Sequence, residues 1–333
     1  MDTKPIISNM RNSSEEICQE ISNIRSEVEN LETVLRKLNQ DEENLVLSIQ
    51  EHSKLQSMLQ SNSAERNKIL KNIEQIESNL QMTTEVCRKL CLSVIDKSRD
   101  VVSKLNLVQS KVIEIEMERW RRGQQLAGNG VVYEGYSLDE IQIWCEGLAE
   151  LNWQIRVQLK RLHHISSSLE FPQYNIDQIT SCIEINTRML FCLVKSTFVI
   201  EKQPPQVMKT NTRFTATVRL LVGGKLNLHM NPPSVSVYII SEHQASIMAS
   251  EAMSPILSQN ESAAGEILNN TGLMEYHSNS SQLSVNFRNM QLKKIKRTEK
   301  KGTESVMDEK FALMFYSRFN IYGAEFTEIH VRV

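Results

Sequence analysis

Apolar residues recur at helical spacing through almost two hundred residues, and near residue 200 the period changes to two. Ile17, Ile21, Ile24, Val28, Leu31, Leu35 and Leu38 step by four and three, and the register continues through Leu45, Ile49 and Leu59. Polar interruptions fall at Glu42, His52 and Gln56, and Glu42 and His52 are read as register markers or end-of-bundle positions. A seam of this kind predicts a long helix with a supercoiled packing partner. Ser61-Asn62-Ser63 breaks it. A second helix runs on Ile69, Ile73, Ile76, Leu80, Cys87, Leu90 and Val94, then restarts in a shifted phase at Val101, Leu105, Val108, Val112 and Ile115.

Ala127-Gly128-Asn129-Gly130 ends the second helix as a C-cap followed by a turn. Ser137-Leu138-Asp139-Glu140 opens a third, with an N-cap serine and a glutamate three residues later. Its stripe is Leu138, Ile141, Cys145, Leu148, Ile155, Leu159 and Leu162; Phe171-Pro172 stops it, and residues near 175–195 form a fourth. Four helices with short connections predict a long antiparallel four-helix bundle of coiled-coil character.

Pro204-Pro205 cannot continue a helix. Beyond it Phe214, Ala216, Val218, Leu220 and Val222 alternate with Thr215, Thr217, Arg219 and Leu221, a strand pattern. Further strands are expected around Val235–Ile239, Leu283–Phe287, Phe311–Phe315 and Glu325–Val333. Gly223-Gly224 is expected to make a two-residue hairpin turn into Lys225–His229, since no phosphate-loop spacing surrounds it. Residues 241–264, Ser- and Ala-rich, predict a surface loop. The fold class expected is α then β: a four-helix bundle, then a β-sandwich or barrel. The domain limits are a disordered end at 1–12, the bundle at 13–198 and the β domain at 199–333.

Charge separates the two parts. Residues 1–198 hold 23 Lys+Arg against 28 Asp+Glu, whereas 199–333 hold 15 against 12. The β part is therefore the candidate for a polyanion and the helical part for protein partners. One run concentrates the signal: Lys293, Lys294, Lys296, Arg297, Lys300 and Lys301, expected on a loop after a strand. Held by a sheet, these cations suit phosphates; a solvated loop or an import signal would carry the same composition. All six cysteines lie in the helical part with no CxxC pair, and Cys87 and Cys91 share a helix face as reduced core thiols. Asn269-Asn270-Thr271 and Asn279-Ser280-Ser281 are read as chance sequons in a reduced intracellular chain. No apolar run is long enough to span a bilayer. No residue spacing supports an enzyme, a metal site or a small-molecule cofactor; Asp308-Glu309, adjacent in a strand, cannot share an acid–base task.

The residues also carry a resemblance. Val218-Arg219-Leu220-Leu221-Val222, Ile200–Val207, the run 222–233, Gly265–Asn270, Phe287–Met290 and Gln124–Gly130 resemble the signal transducers and activators of transcription, the STAT family, and within it the type-5 branch. The resemblance implies a transcription factor of cytokine and Janus-kinase signalling, cytoplasmic and nuclear, acting on genes read by RNA polymerase II. It implies a coiled-coil domain, an immunoglobulin-like β domain and double-stranded DNA with a palindromic TTC…GAA element as partner. By position Lys209 corresponds to a lysine at the DNA, Arg213 lies near the same surface, and Lys293, Lys296 and Arg297 fall at basic phosphate contacts. Asp308-Glu309 matches an acidic pair needed for a properly formed domain, and Tyr316 departs from a usual Glu. The sequence stops at Val333, ahead of the family's last β strands, linker and SH2 domain. The expectation is thus a β domain incomplete at its C-terminus, with weak DNA binding and no phosphotyrosine switch of its own. The alternative is an interaction-only coiled-coil protein that competes with full-length relatives.

Overall fold

The computed structural model describes residues 4–61, 66–128, 135–226, 228, 230–250, 264–296, 310–321 and 325–332. The helices are α1 (Lys4–Ser61), α2 (Arg66–Ser110), α3 (Glu118–Gly128), α4 (Leu138–Ser168), α5 (Gln173–Ser196) and α6 (Glu242–Ser250). A π-helical segment, Lys111–Met117, joins α2 to α3. The strands are β1 (Phe198–Lys202), β2 (Arg213–Leu220), β3 (Ser234–Ser241), β4 (Gly265–Leu268) and β5 (Thr271–Leu273), followed by β6 (Glu275–His277), β7 (Gln282–Ile295), β8 (Phe311–Ile321) and β9 (Glu325–Arg332). Two compact units form: 1–136 with 150–190, and 137–149 with 191–333. The first three turns of α4 therefore belong to the β unit.

In the helical unit the seam from Ile17 to Leu45 is buried. Cross-helix pairs fix the directions. Lys111 pairs with Glu16 and Lys104 with Glu27, and His52 meets Glu77, so α1 and α2 run antiparallel. Arg25–Glu150, Arg161–Glu32 and Ser168–Glu42 make α1 and α4 parallel. Asn186 to Asn152 and Gln109 to the Met189 carbonyl complete an up-down-up-down bundle. Glu32 is raised by burial, but hydrogen bonds from Arg161 and Arg36 outweigh this and hold its carboxyl below the usual range.

Three helical expectations change. Ile49 is 53% exposed, because Glu42 already meets Ser168 at the end of α4 and two helices alone cannot enclose the seam beyond it. Ile115 is also exposed, since the π-helical turn moves the stripe to Met117 and Trp120. Residues 4–12, expected to be disordered, continue α1 as helix, each further residue adding a backbone hydrogen bond.

The β unit has two antiparallel sheets. One has the order β1-β2-β7-β4, with β6 also paired to β7; the other is β5-β3-β8-β9. They make a sandwich, without a closed barrel among the described residues. Phe287 of β7 and Phe315 of β8 meet between the sheets, ring centres 5.9 Å apart and tilted 60°. On β7 the inward set is Leu283, Val285 and Phe287, then Met290 and Leu292. A bulge explains the change of parity: Ala216 pairs with Phe287 but Phe214 with Met290, leaving one extra residue on β7.

The Gly-Gly hairpin is not formed. Residues 221–226 make consecutive turns, with Leu226 N–H donating to the Val222 carbonyl at 3.2 Å. Gly223 is required by packing instead, since a Cβ there would lie 2.4 Å from Leu283 Cδ2. Part of the expected surface loop is α6 (Glu242–Ser250). The Asn269-Asn270 pair, read as a chance sequon, carries the chain from one sheet to the other. Asn269, at φ 57°, donates its side-chain amide to the Asn289 carbonyl, and Asn270 donates its own to the Val237 carbonyl.

Burial pushes the Cys91 and Cys145 thiols up to about 12, which keeps them protonated, while Cys18 and Cys192 are exposed. A maleimide added to the native protein is expected to label Cys18 and Cys192 first, and Cys91 and Cys145 only after denaturation, as read by peptide mass spectrometry. Prompt labelling of Cys145 would contradict this packing.

Candidate nucleic-acid interface

Phe214, Ala216, Val218 and Leu220 of β2 point into the sandwich, so Arg213, Thr215, Thr217 and Arg219 share the outer face. At one end of that face the first turns of α4 cover the sheet. Ser137 and Glu140 form the expected capping box: Ser137 N–H donates to Glu140 Oε2 at 2.9 Å, and Glu140 N–H to Ser137 Oγ at 3.2 Å. The cap sets Asp139 and Gln142 over β2. Arg219, 1% exposed, donates to Asp139 Oδ1 at 2.6 Å, Gln142 Oε1 at 3.0 Å and Glu201 Oε1 at 3.1 Å. Gln142 in turn donates to the Ser281 carbonyl, and Gln282 to Asp139. Arg219 is thus a structural cation paired with two carboxylates and an amide oxygen.

The other end of the same face is open and carries the predicted cations. After Pro204, which is buried, the chain reaches Lys209 and turns into β2. Asn211 makes that turn at φ 62°, a conformation asparagine tolerates better than most residues. Its N–H donates to the Leu292 carbonyl at 2.6 Å, and Gln291 Nε2 donates to the Asn211 carbonyl at 3.1 Å. These bonds tie the Lys209 turn to the far end of β7. Arg213 lies in register with Gln291, and Lys293, Lys294 and Lys296 follow on the same strand and just past it.

Lys209, Arg213, Lys293, Lys294 and Lys296 are all exposed, and the structure brings them to one end of one sheet. The expected loop is corrected here: β7 extends through Ile295, so Lys293 and Lys294 are strand residues. Arg297, Lys300, Lys301 and the Asp308-Glu309 pair lie outside the described residues. Two contributors were missed from sequence. Asn211 gave a faint signal as a turn-forming residue, whereas Glu266, which accepts from Lys293 Nζ at 2.8 Å, is reached only through strand pairing. Exposed cations gathered at one end of a sheet suit a line of phosphates; among the described residues no group of metal-ligating side chains accompanies them.

Two family descriptions match the chain: "STAT transcription factor, coiled-coil domain" over residues 18–191 and "STAT protein, DNA binding domain" over residues 202–331. A Drosophila melanogaster protein named "Signal transducer and transcription activator" is 45% identical over 203 residues, covering 61% of this chain and 26% of that protein. The chain thus spans about a quarter of that relative's length. A solved structure, "Crystal Structure of STAT2 in complex with IRF9", aligns at 16% identity with TM-score 0.42, covering 54% of this chain and 96% of that one.

Replacing Arg219 with Ala leaves Gln142 without its cation and uncovers two carboxylates. The expected loss is about 2–4 kcal/mol, below the full cost of breaking a buried pair because Asp139 and Glu201 keep solvent access. Hydrogen exchange should accelerate at 137–149 and along β2; unchanged protection there would remove Arg219 from this structural role.

Proposed function

Because this chain belongs to the STAT family, we propose that its β unit binds double-stranded DNA through the end of the sheet that carries Lys209, Arg213, Lys293, Lys294 and Lys296, with Arg297, Lys300 and Lys301 continuing the run. One observation carries the reading. The Asn211 turn and the β2–β7 register gather cations separated by some eighty residues onto one exposed edge. The finer assignment is a transcription regulator of the type-5 branch, acting on RNA polymerase II genes in cytokine and Janus-kinase signalling and moving between cytoplasm and nucleus. It rests on the residues at 200–207, 222–233, 265–270 and 287–290, and its DNA partner is a palindromic TTC…GAA element. Phosphate contacts of this kind place a protein on the duplex, and base contacts then select the sequence.

A second reading, recruitment of protein partners by the helical unit, is favoured by exposed apolar side chains where α1 and α2 continue past Glu42. Among the described residues Leu47, Ile49, Met82 and Val86 are the most exposed of these. On that reading, charge reversal in the β unit leaves partner co-precipitation intact.

Fluorescence anisotropy with a TTC…GAA duplex and a shuffled duplex, titrated with salt, tests the first reading. Affinity should fall steeply with salt, at about 0.9 in log–log slope for each phosphate neutralised. Lys296→Gln should weaken both duplexes alike and flatten the slope by about 1. An affinity indifferent to salt would exclude DNA binding by this edge.

A further inference from the structure

One carboxylate stands inside the basic edge. β4 pairs with the far end of β7 so that Gly265 lies opposite Ile295, Glu266 opposite Lys294 and Ile267 opposite Leu292. Between the last two pairs β7 carries an extra residue, Lys293, in a bulge. Two lysines of β7 therefore oppose a single glutamate of β4. Burial agrees with this placement: Ile267 and Leu292 are buried, while Glu266, Lys293 and Lys294 are exposed. Lys293 Nζ donates to Glu266 Oε1 at 2.8 Å, each side chain retaining about half of its exposure (50% and 51%).

Close packing of the preceding residue brings the Glu266 backbone up against β7. A Cβ on Gly265 would lie 2.5 Å from the Lys294 carbonyl oxygen and 2.6 Å from Ile239 Cδ1. The strand can approach β7 this closely only because the preceding residue is glycine, and that approach brings the carboxylate onto the lysines. The Ile239 contact adds the second sheet as a backstop behind Gly265. A pair this exposed contributes little to folding. Its consequence lies in what Lys293 has left to offer an incoming anion.

We infer that Glu266 is a built-in competitor of phosphate for Lys293, which lowers the affinity of this edge for nucleic acid of any sequence. The inference rests on the DNA reading above and adds its regulation. A phosphate that engages Lys293 must share its ammonium with the carboxylate or displace it, so the contact gains less than it would with Glu266 absent. The penalty falls on a phosphate contact, so it lowers sequence-specific and sequence-independent binding alike. Glu266 thereby tunes the affinity of this end of the sheet without touching a base.

The test compares the full chain with Glu266→Gln, Lys293→Gln and the double variant on two probes, immobilised heparin and a shuffled DNA duplex. Glu266→Gln should elute from heparin at higher salt. It should also bind the shuffled duplex about threefold more tightly at 0.1 M salt, with the salt slope steeper by about 0.9. In the Lys293→Gln background the same change should bring no gain. Circular dichroism and thermal melting of each variant check that the fold is unaltered. If the folded Glu266→Gln protein binds both probes as the parent does, or more weakly, the competitor role is wrong. A full gain that survives in the Lys293→Gln background is equally fatal to it. A gain on heparin with no duplex binding by any variant would leave the competition intact and remove the DNA reading instead.

Discussion

The β unit depends on a buried arginine. Arg219 sits on the outer face of a sheet, where its strand neighbours Arg213, Thr215 and Thr217 keep contact with solvent. Its guanidinium is closed off by Asp139 and Gln142 from α4 and Glu201 from β1. An unpaired cation at 1% exposure would be intolerable, so the three acceptors and the arginine must come together or not at all. This condition fixes which helix face lies on the sheet. The capping box contributes upstream, since Ser137 and Glu140 determine where the helix begins and hence which turn presents Asp139 and Gln142. Gln142 and Gln282 extend the network to the β6–β7 turn, so the same few polar groups hold α4, β1, β2 and β7.

What could be read from sequence follows from the range of each interaction. The bundle was legible because its determinants are local: the seam from Ile17 to Leu45 and the stripe from Leu138 to Leu162 are buried as the spacing requires. It failed at Ile49, where burial depends on whether two more helices reach that far, and at Ile115, where a π-helical turn changes the phase. Long strands with clean alternation were found. Strands of three or four residues, β4, β5 and β6, were not, since so few positions show no period. Gly223-Gly224 misled for a related reason: the pair suits a hairpin, but close contact with Leu283, sixty residues away, is what requires glycine.

The candidate site was half legible. Lysines and arginines are visible as a run, and the placement of Lys209 and Arg213 beside it came from family resemblance. The reason these groups meet is not local. It lies in Asn211 bonding to Leu292 and Gln291, and in a register that sets Arg213 beside Gln291. Glu266 could not be found from sequence at all, because nothing near residue 266 signals that a bulge on a distant strand will turn two lysines toward it.

Arg213 and Arg219 show how one strand serves both purposes. Six residues apart, about 20 Å along an extended chain, they have the same parity and so the same face. Alternation treats them alike. Covered by α4, Arg219 has each nitrogen of its guanidinium bonded to a protein acceptor and is buried away from any ligand. Arg213, beyond the reach of that helix segment, stays solvated beside Lys209 and the end of β7. The difference between a buried, paired cation and a solvated one is thus set by where the first turns of α4 stop. A sheet face built only for stability would be covered along its whole length. One left bare along its whole length would open Arg219 as well, and would lose the contacts that tie α4 to β1, β2 and β7.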